Sequence, residues 1–235
     1  MPTLFIAGAT GYTGQALARL ASAQGHRVIA HVRPASRDGE LHARRFQQQG
    51  AEVDRSPWDA EAMSAALAHH APDVVFGLLG TTRARGKAAV SAGGPPETYE
   101  SVDRDLTLLL LRAAEGLSRP PRFVYLSSLG AQAPRGNAYL RARFEVEQAL
   151  RASALPWTIA RPSFISGPDR PEDRPGERIG AQVADVALGA LAMLGARSLQ
   201  DRYGRMDADT LARGLLRVAL DPAMAGRVLE AADLR

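Results

Sequence analysis

Short apolar runs alternate with amphipathic segments along most of the chain. The first run, Thr3–Ala7, is continuous, which is typical of a strand buried on both faces of a parallel sheet. Residues 15–24 carry Ala and Leu at helical spacing, and Gly25 follows in the usual position for ending a helix. A second apolar run covers residues 26–32. The first thirty or so residues therefore predict a strand, a helix and a second strand.

The same alternation continues to about residue 160. Further strands are predicted at residues 52–53, 73–79, 122–127 and 157–160, and helices at residues 59–70, 101–115 and 139–153. Residues from 179 onward predict helices, with a short strand near residues 227–230. Strands that alternate with helices indicate an α/β fold with a doubly wound, mostly parallel sheet (a Rossmann fold) and right-handed crossovers.

Two segments interrupt this pattern. Residues 83–96 are rich in Gly, Ala, Ser and Arg, and residues 166–176 contain three prolines, so both are expected to be loops, the first of them mobile. Long loops at the carboxyl ends of sheet strands usually carry the ligand site. A chain of 235 residues suits one domain over residues 1–235, with residues from about 164 to 205 forming a small C-terminal, substrate-side region.

Composition narrows the function classes. With 46% hydrophobic and 23% charged residues, the chain is globular. Lys87 is the single lysine among 29 basic residues, and the arginines are scattered among acids, so no nucleic-acid partner is expected. The absence of cysteine excludes disulfides, thiolate catalysis and zinc–thiolate sites. The five histidines lack metal-ligand spacing, so no metal site is predicted, and they are expected at the surface or at helix ends.

Targeting and membrane signals are also weak. The first residues have no basic segment followed by a long apolar stretch, which argues against a signal peptide. The apolar stretch at residues 183–194 is too short to cross a bilayer. We therefore expect a cytoplasmic protein with no membrane partner, acting on a small molecule, and we leave open whether it forms a homodimer.

A glycine-rich turn follows the first strand and opens the first helix. Its glycines have the spacing Gly-x-x-Gly-x-x-Gly, and a helix N-terminus with such a turn favours a dinucleotide pyrophosphate because amide groups and the helix dipole attract anions. A plain tight turn is the alternative. The residues predicted to bind the cofactor here are Gly8, Ala9, Thr10, Gly11, Tyr12, Thr13 and Gly14.

The end of the second strand indicates which dinucleotide binds. NAD-binding folds place an acid there to hold the ribose hydroxyls, but this chain has no acid before Asp38. Arg33 and Arg37 stand in that region instead, and a guanidinium pairs with phosphate in a bidentate manner. These two residues predict NADP rather than NAD. The alternative is that both are solvated surface arginines.

Several motifs together resemble one family. They are Gly8 to Gly14, Leu-Gly-Thr-Thr-Arg at 79–83, Val-Asp-Arg-Asp at 102–105, Leu-Ser-Ser-Leu-Gly-Ala at 126–131, Tyr139, and Arg-Pro-Ser at 161–163. The chain resembles the atypical short-chain dehydrogenase/reductases over roughly residues 3–180. Within them it is similar to the Tat-interactive-protein-like and NmrA-like NAD(P)-binding proteins.

The resemblance implies a role for each matched position. Ser128 would be the active-site serine that orients the substrate, with Ser127 the alternative, and Tyr139 would be the acid/base tyrosine. The cofactor ribose and pyrophosphate would contact Leu79, Gly80, Thr81 and Thr82, and the nicotinamide would lie near Pro162 and Ser163. In this chemistry the tyrosine hydroxyl moves a proton while hydride passes to or from the nicotinamide.

The chain departs from the family at one position. The family motif is Tyr-x-x-x-Lys, but Arg143 stands four residues after Tyr139. Arginine keeps the charge but does not deprotonate. The first hypothesis is therefore an NADP-dependent oxidoreductase acting on a small carbonyl or alcohol, with Ser128, Tyr139 and Arg143 as catalytic residues. The alternative for Tyr139 and Arg143 is an exposed helical pair without catalysis. A non-catalytic NADP-binding sensor or docking protein remains open, as does a nucleotide-sugar epimerase or dehydratase.

Overall fold

Seven parallel strands form the central sheet of the computed structural model, which describes residues 1–36, 38–91, 93–133, 137–163, 165 and 206–235. The strands are β1 Thr3–Ala7, β2 Arg27–His31, β3 Glu52–Asp54, β4 Val74–Gly77, β5 Arg122–Leu126, β6 Trp157–Arg161 and β7 Arg227–Glu230. Their order is β3-β2-β1-β4-β5-β6-β7, and every neighbouring pair is parallel. The predicted doubly wound parallel sheet is confirmed, and its order changes direction between β1 and β4.

Helices cover both faces of the sheet. They are α1 Tyr12–Ala23, α2 Gly39–Gln48, α3 Ala60–His70, α4 Arg83–Ser91, α5 Leu106–Glu115, α6 Ala138–Ala152 and α7 Ala208–Leu220. A π-helical segment, Tyr99–Asp105, leads directly into α5, and short 3₁₀ turns lie at Pro222–Met224 and Ala231–Leu234.

Strand alternation builds the two halves of the core. Successive side chains of a strand point to opposite faces, so Leu4 and Ile6 pack with α1 and α7 while Phe5 packs with α3, α5 and α6. All three side chains are fully buried. The continuous apolar runs of the sequence therefore reflect burial on both faces, as expected for a parallel sheet.

One predicted loop is wrong over much of its length. Residues 83–96 were expected to be irregular, but Arg83–Ser91 forms α4. The physical reason is a local cap: the side-chain oxygen of Thr82 accepts the amide of Arg85 at 3.2 Å, which satisfies a donor at the start of the helix. Alanines then provide helix propensity around Gly86.

Two histidines are buried: His70 lies at the end of α3, as expected of a helix-end residue, but His31 lies in β2, at neither the surface nor a helix end. His31 is 3% exposed and His70 is 8% exposed, and both lie near the carboxylate of Asp54. His70 Nε2 is 3.1 Å from that carboxylate. Burial lowers the pKa of His31, although its contact with the carbonyl oxygen of Ser56 opposes this. The expectation failed because strand and helix ends converge at this corner, which local sequence does not show.

Some predictions fall on residues that the structure does not describe. They concern Arg37 and, apart from Ile165, the proposed substrate-side region at residues 164–205. Within the described residues, no helix is both long and apolar enough to span a bilayer. The same part of the chain contains no cluster of three or more metal-ligating side chains.

A buried ion pair ties α6 to β6. Arg161 donates two hydrogen bonds to Glu147, at 2.9 and 2.6 Å, and Ser127 donates a third at 2.6 Å. Glu147 is 1% exposed. Charged groups removed from water need partners of this kind, so each residue makes the burial of the other tolerable.

We predict that Glu147→Ala lowers the free energy of unfolding by about 3–5 kcal/mol, because it leaves the buried Arg161 guanidinium with only its longer contact to Glu230, at 3.4 Å. Urea unfolding followed by circular dichroism would measure this. The matched control is Glu145→Ala on the same helix, whose half-exposed carboxylate pairs with Arg104 at 3.0 Å and should contribute within about 1 kcal/mol. Equal losses in the two variants would contradict a special role for the buried pair.

Candidate functional site

The predicted site residues follow the carboxyl ends of neighbouring strands. Gly8 follows β1, Arg33 follows β2 and Leu79 follows β4, while Ser128 follows β5 and Pro162 follows β6. In open α/β sheets, ligands bind outside these ends where the strand order reverses, which here is the crevice between β1 and β4. The fold therefore brings the sequence-separated candidates to one edge.

Close backbone packing explains two glycines of the first turn. Gly8 has a φ of 86°, and a Cβ there would lie 2.6 Å from the carbonyl oxygen of Leu78. A Cβ on Gly14 would lie 2.8 Å from the Cα of Ala9 and closer still to the carbonyl of Gly8. The turn thus folds tightly between β1, the end of β4 and α1, and a side chain at either position would force the backbone apart.

The start of α1 suits an anion. Gly11 stands at the helix N-terminus with no side-chain cap, and the first turn of α1 contains no acidic residue. Amides and the positive end of the helix dipole face the crevice there, where a pyrophosphate is favoured. These residues fit the predicted dinucleotide: the glycines provide close approach and the helix provides the charge.

Arg143 lies buried behind the crevice. It is 6% exposed, which contradicts the alternative of an exposed helical pair. Its Nη1 donates to the carbonyl of Leu126 at 2.5 Å and to the Tyr125 hydroxyl at 3.3 Å, and its Nη2 donates to the carbonyl of Leu79 at 3.0 Å. Nη2 also pairs with Asp103 at 2.7 Å, so one guanidinium joins the ends of β4 and β5 to the π-helical segment.

Charge at this cluster is balanced by burial and by the ion pair. Burial raises the pKa of Asp103, and Arg143 opposes that shift. Asp103 is fully buried and its second oxygen accepts the amide of Thr81 at 2.8 Å. Burial also raises the pKa of Tyr125. Of the three guanidinium nitrogens of Arg143, Nε has no hydrogen-bond partner among the described residues, and it is shielded from solvent.

Tyr139 lies against this guanidinium. The guanidinium carbon of Arg143 is 5.2 Å from the centre of the Tyr139 ring, and the ring of Tyr99 packs edge-on at 5.3 Å. Both Tyr139 and Ser128 are half-buried. The Ser128 hydroxyl donates to the carbonyl of Leu129 at 3.3 Å, within its own loop, so the structure joins Tyr139 to Arg143 more directly than to Ser128.

The two candidate serines have different surroundings. Ser127 is 4% exposed and its hydroxyl is engaged by Glu147 at 2.6 Å, whereas Ser128 is half-buried at the crevice edge. Ser127 is thereby committed to the ion pair of α6 and β6. Of the two alternatives, the geometry favours Ser128 as the residue that a substrate could reach.

The residues after β4 and β6 form the walls of the crevice. A Cβ on Gly80 would lie 2.9 Å from Arg143 Nη2, so the chain passes directly over the guanidinium. The carbonyl of Pro162 accepts the amide of Leu129 at 3.2 Å, and Ser163 beside it is buried. The loops after β5 and β6 therefore hold each other in place, and their assigned contacts with cofactor stay predictions.

Arg33 has a partner that the local sequence did not indicate. Its guanidinium lies 2.6 Å from the carboxylate of Glu97. The same carboxylate accepts the Thr81 hydroxyl at 3.1 Å and has Arg85 at 3.7 Å. Glu97, Asp103 and Tyr99 are site residues whose contacts depend on the long connection between β4 and α5, so no periodicity or strand end marked them.

Fold and site together define a dinucleotide-binding Rossmann protein. A family model described as NAD(P)H-binding matches residues 8–196, and the chain belongs to that family. The predicted resemblance to atypical short-chain dehydrogenase/reductases of the NmrA-like kind is confirmed. The chain also shares its fold with an oxidoreductase of the short-chain dehydrogenase/reductase family from Burkholderia thailandensis, with a TM-score of 0.65 and 19% identity over 100% of this chain and 93% of that one.

Two kinds of curated relative are informative. A protein of Aspergillus fumigatus named "Protein fmp52, mitochondrial" is 31% identical over 94% of this chain and 88% of its own length. A same-named protein of Emericella nidulans is matched over 65% of its length, slightly less than two thirds. Divinyl chlorophyllide a 8-vinyl-reductase, chloroplastic, from Oryza sativa subsp. indica is 34% identical over 68% of this chain and 39% of its own length.

The expectation of a cytoplasmic protein is contradicted by these relatives. Those named fmp52 are described as mitochondrial. The expectation was inferred from the weakness of the secretory and membrane signals. Such features do not determine the location of a protein by themselves, because targeting sequences are read by receptors.

We predict that Gly14→Ala lowers the free energy of unfolding by about 1–3 kcal/mol or more, because the added methyl group overlaps Gly8 and Ala9. The matched control is Gly116→Ala at the end of α5, where φ is −74° and the nearest atom lies 3.6 Å from the new Cβ. That control should change stability by less than about 1 kcal/mol. Comparable thermal melting of both variants would contradict the close packing of the turn.

Proposed function

We propose that this protein is an NADP-dependent oxidoreductase that transfers hydride to or from a small carbonyl or alcohol. The observation that carries this proposal is Tyr139 at the crevice edge, held beside the fixed guanidinium of Arg143 at 5.2 Å. Membership of an NAD(P)H-binding family supports the cofactor class. The rice relative, named as a vinyl reductase, supports reduction as the type of reaction but does not indicate a carbonyl substrate.

The chain's own groups have distinct tasks in the reduction direction. The glycine turn from Gly8 to Gly14 would hold the dinucleotide, whose reduced nicotinamide would be the source of the hydride for the carbonyl carbon. Tyr139 donates its hydroxyl proton to the carbonyl oxygen and is reprotonated from solvent, so the product is an alcohol. Ser128 orients the carbonyl through a hydrogen bond. Arg143 contributes position and a permanent positive charge, since its terminal nitrogens are already bound to protein acceptors.

A non-catalytic NADP-binding role is the second candidate. It is favoured by the same arginine, because a buried guanidinium paired with Asp103 is a poor member of a proton relay. This candidate and the enzyme share the cofactor site and differ only in turnover. The Burkholderia neighbour, at 19% identity, supports the fold alone and does not favour either candidate.

We predict that Tyr139→Phe lowers NADPH-dependent turnover of the best carbonyl substrate by about 10²–10⁴-fold, the usual contribution of a general acid. Its affinity for NADPH should stay within about twofold, because the ring and its contact with Arg143 are retained. Absorbance at the nicotinamide band across a panel of aldehydes and ketones would measure turnover.

The matched control is Tyr99→Phe, which keeps the neighbouring ring and removes a hydroxyl that the proposal does not use. It should retain turnover within about threefold, a change that corresponds to less than about 1 kcal/mol. NADPH binding by the wild-type protein with no turnover on the whole panel would contradict the enzyme and favour the non-catalytic role. Equal loss in both tyrosine variants would contradict the role of Tyr139.

NADP preference is the finer part of the proposal and depends on Arg33. We predict that Arg33→Ala weakens NADPH binding by about tenfold or more, which is the effect of losing a charge-assisted hydrogen bond, and leaves NADH binding within about twofold. Isothermal titration would measure both. The matched control is Arg27→Ala at the opposite end of β2, whose side chain pairs with Glu52 at 2.7 Å. Equal weakening of NADPH and NADH by Arg33→Ala would contradict a 2′-phosphate contact.

A further inference from the structure

At the edge of the crevice, the carboxylate of Glu97 is the anion bound by a small group of cationic and hydroxyl side chains. Its carboxylate lies 2.6 Å from Arg33 and 3.7 Å from Arg85, and it accepts the Thr81 hydroxyl at 3.1 Å. The side chain is 13% exposed, while the two arginines are 38% and 44% exposed. Two cations and a hydroxyl that converge on one carboxylate are the groups that would otherwise hold a phosphate.

The backbone on both sides of Glu97 is anchored. A Cβ on Gly86 would lie 2.5 Å from the carbonyl oxygen of Glu97, so this stretch rests directly on α4. The next residue, Thr98, caps the π-helical segment by exchanging hydrogen bonds with Ser101 at 2.9 and 3.0 Å. The backbone around Glu97 is therefore anchored, and it holds the carboxylate beside Arg33.

Glu97 is held in its charged form. Burial alone would raise the pKa of its carboxyl group, but Arg33, Arg85 and the Thr81 hydroxyl together bring the pKa below the ordinary value. At neutral pH one negative charge therefore sits among two positive charges. An incoming dianion would find this site partly neutralised.

We propose that Glu97 determines cofactor selectivity by competing with the 2′-phosphate of NADP for the guanidinium of Arg33. This inference rests on the proposed cofactor site. Arg33 follows β2, where the adenosine ribose of a dinucleotide lies in this fold. A carboxylate at 2.6 Å already occupies the side of the guanidinium that a phosphate oxygen would take, and the two anions repel each other.

Selectivity follows from which nucleotide meets Glu97. NADP must displace the carboxylate from Arg33 before its phosphate binds, so part of the interaction with Arg33 is spent in breaking the internal pair. NAD carries no phosphate at that position, and the Arg33–Glu97 pair stays closed while it binds. Glu97 therefore narrows the preference for NADP that the arginines create.

The test is isothermal titration of NADPH and NADH into the wild-type protein, Glu97→Gln, Arg33→Ala and the double variant. We expect Glu97→Gln to tighten NADPH binding at least about fivefold, at the lower end of typical couplings between sites, and to change NADH binding less than about twofold. The gain should disappear in the Arg33→Ala background, because the competition acts through that guanidinium.

Glu52→Gln is the matched control. Glu52 also pairs with an arginine, Arg27 at 2.7 Å, but at the amino ends of β2 and β3, so its substitution changes the net charge equally away from the crevice. It should leave both affinities unchanged. Thermal melting of each variant identifies any that fail to fold, and Glu97→Asp, which keeps the charge on a shorter side chain, then serves as a second probe with an intermediate gain for NADPH.

The outcomes separate this inference from the proposed function. Wild-type protein that binds NADPH, with an unchanged ratio of NADPH to NADH affinity in Glu97→Gln, overturns the role of Glu97 and leaves the cofactor site standing. A gain that persists without Arg33 also overturns it. Failure of every variant to bind either nucleotide overturns both proposals, whereas binding of NADPH by Glu97→Gln alone supports both.

Discussion

The arrangement of the site depends on one buried cation, the guanidinium of Arg143. It reaches the carbonyls of Leu79 and Leu126 and the carboxylate of Asp103 with a single planar group. A buried guanidinium needs partners for its donors, and here four hydrogen bonds satisfy its two terminal nitrogens, while Nε has no partner among the described residues. The ends of β4 and β5 and the start of α5 are consequently held at fixed distances, and Tyr139 is placed against the result.

Two further arginines at the carboxyl ends of the strands also pair with a carboxylate. Arg161, at the end of β6, is held by Glu147, and Arg33, after β2, is held by Glu97. In each case the acid comes from a segment distant in sequence, so these pairs report the tertiary fold. The scattered arginines that argued against nucleic-acid binding therefore include several with structural partners. The two pairs differ in exposure, because the Arg161 side chain is 9% exposed and the Arg33 side chain is 38% exposed.

Local patterns predicted what local physics decides. β1 and β7 have their predicted bounds, because strand burial follows the local apolar pattern. The predicted helix over residues 59–70 is found as α3, which Asp59 caps by accepting the amide of Ala62. The glycine turn was predictable for the same reason. The pairing of Glu97 with Arg33 was not, since it requires the β4–α5 connection to fold back over β2. The burial of His31 and His70 was not predictable either, since it also depends on segments distant in sequence.

The replacement of lysine by Arg143 is more than a change of basic residue. A lysine ammonium has three donors on a flexible side chain. Here four acceptors bind the two terminal nitrogens of a planar guanidinium, and Asp103 is one of them. The surroundings are thus fitted to arginine rather than merely tolerant of it. Because these acceptors already use both terminal nitrogens, Arg143 acts on the site through its fixed position and its charge rather than through a free donor.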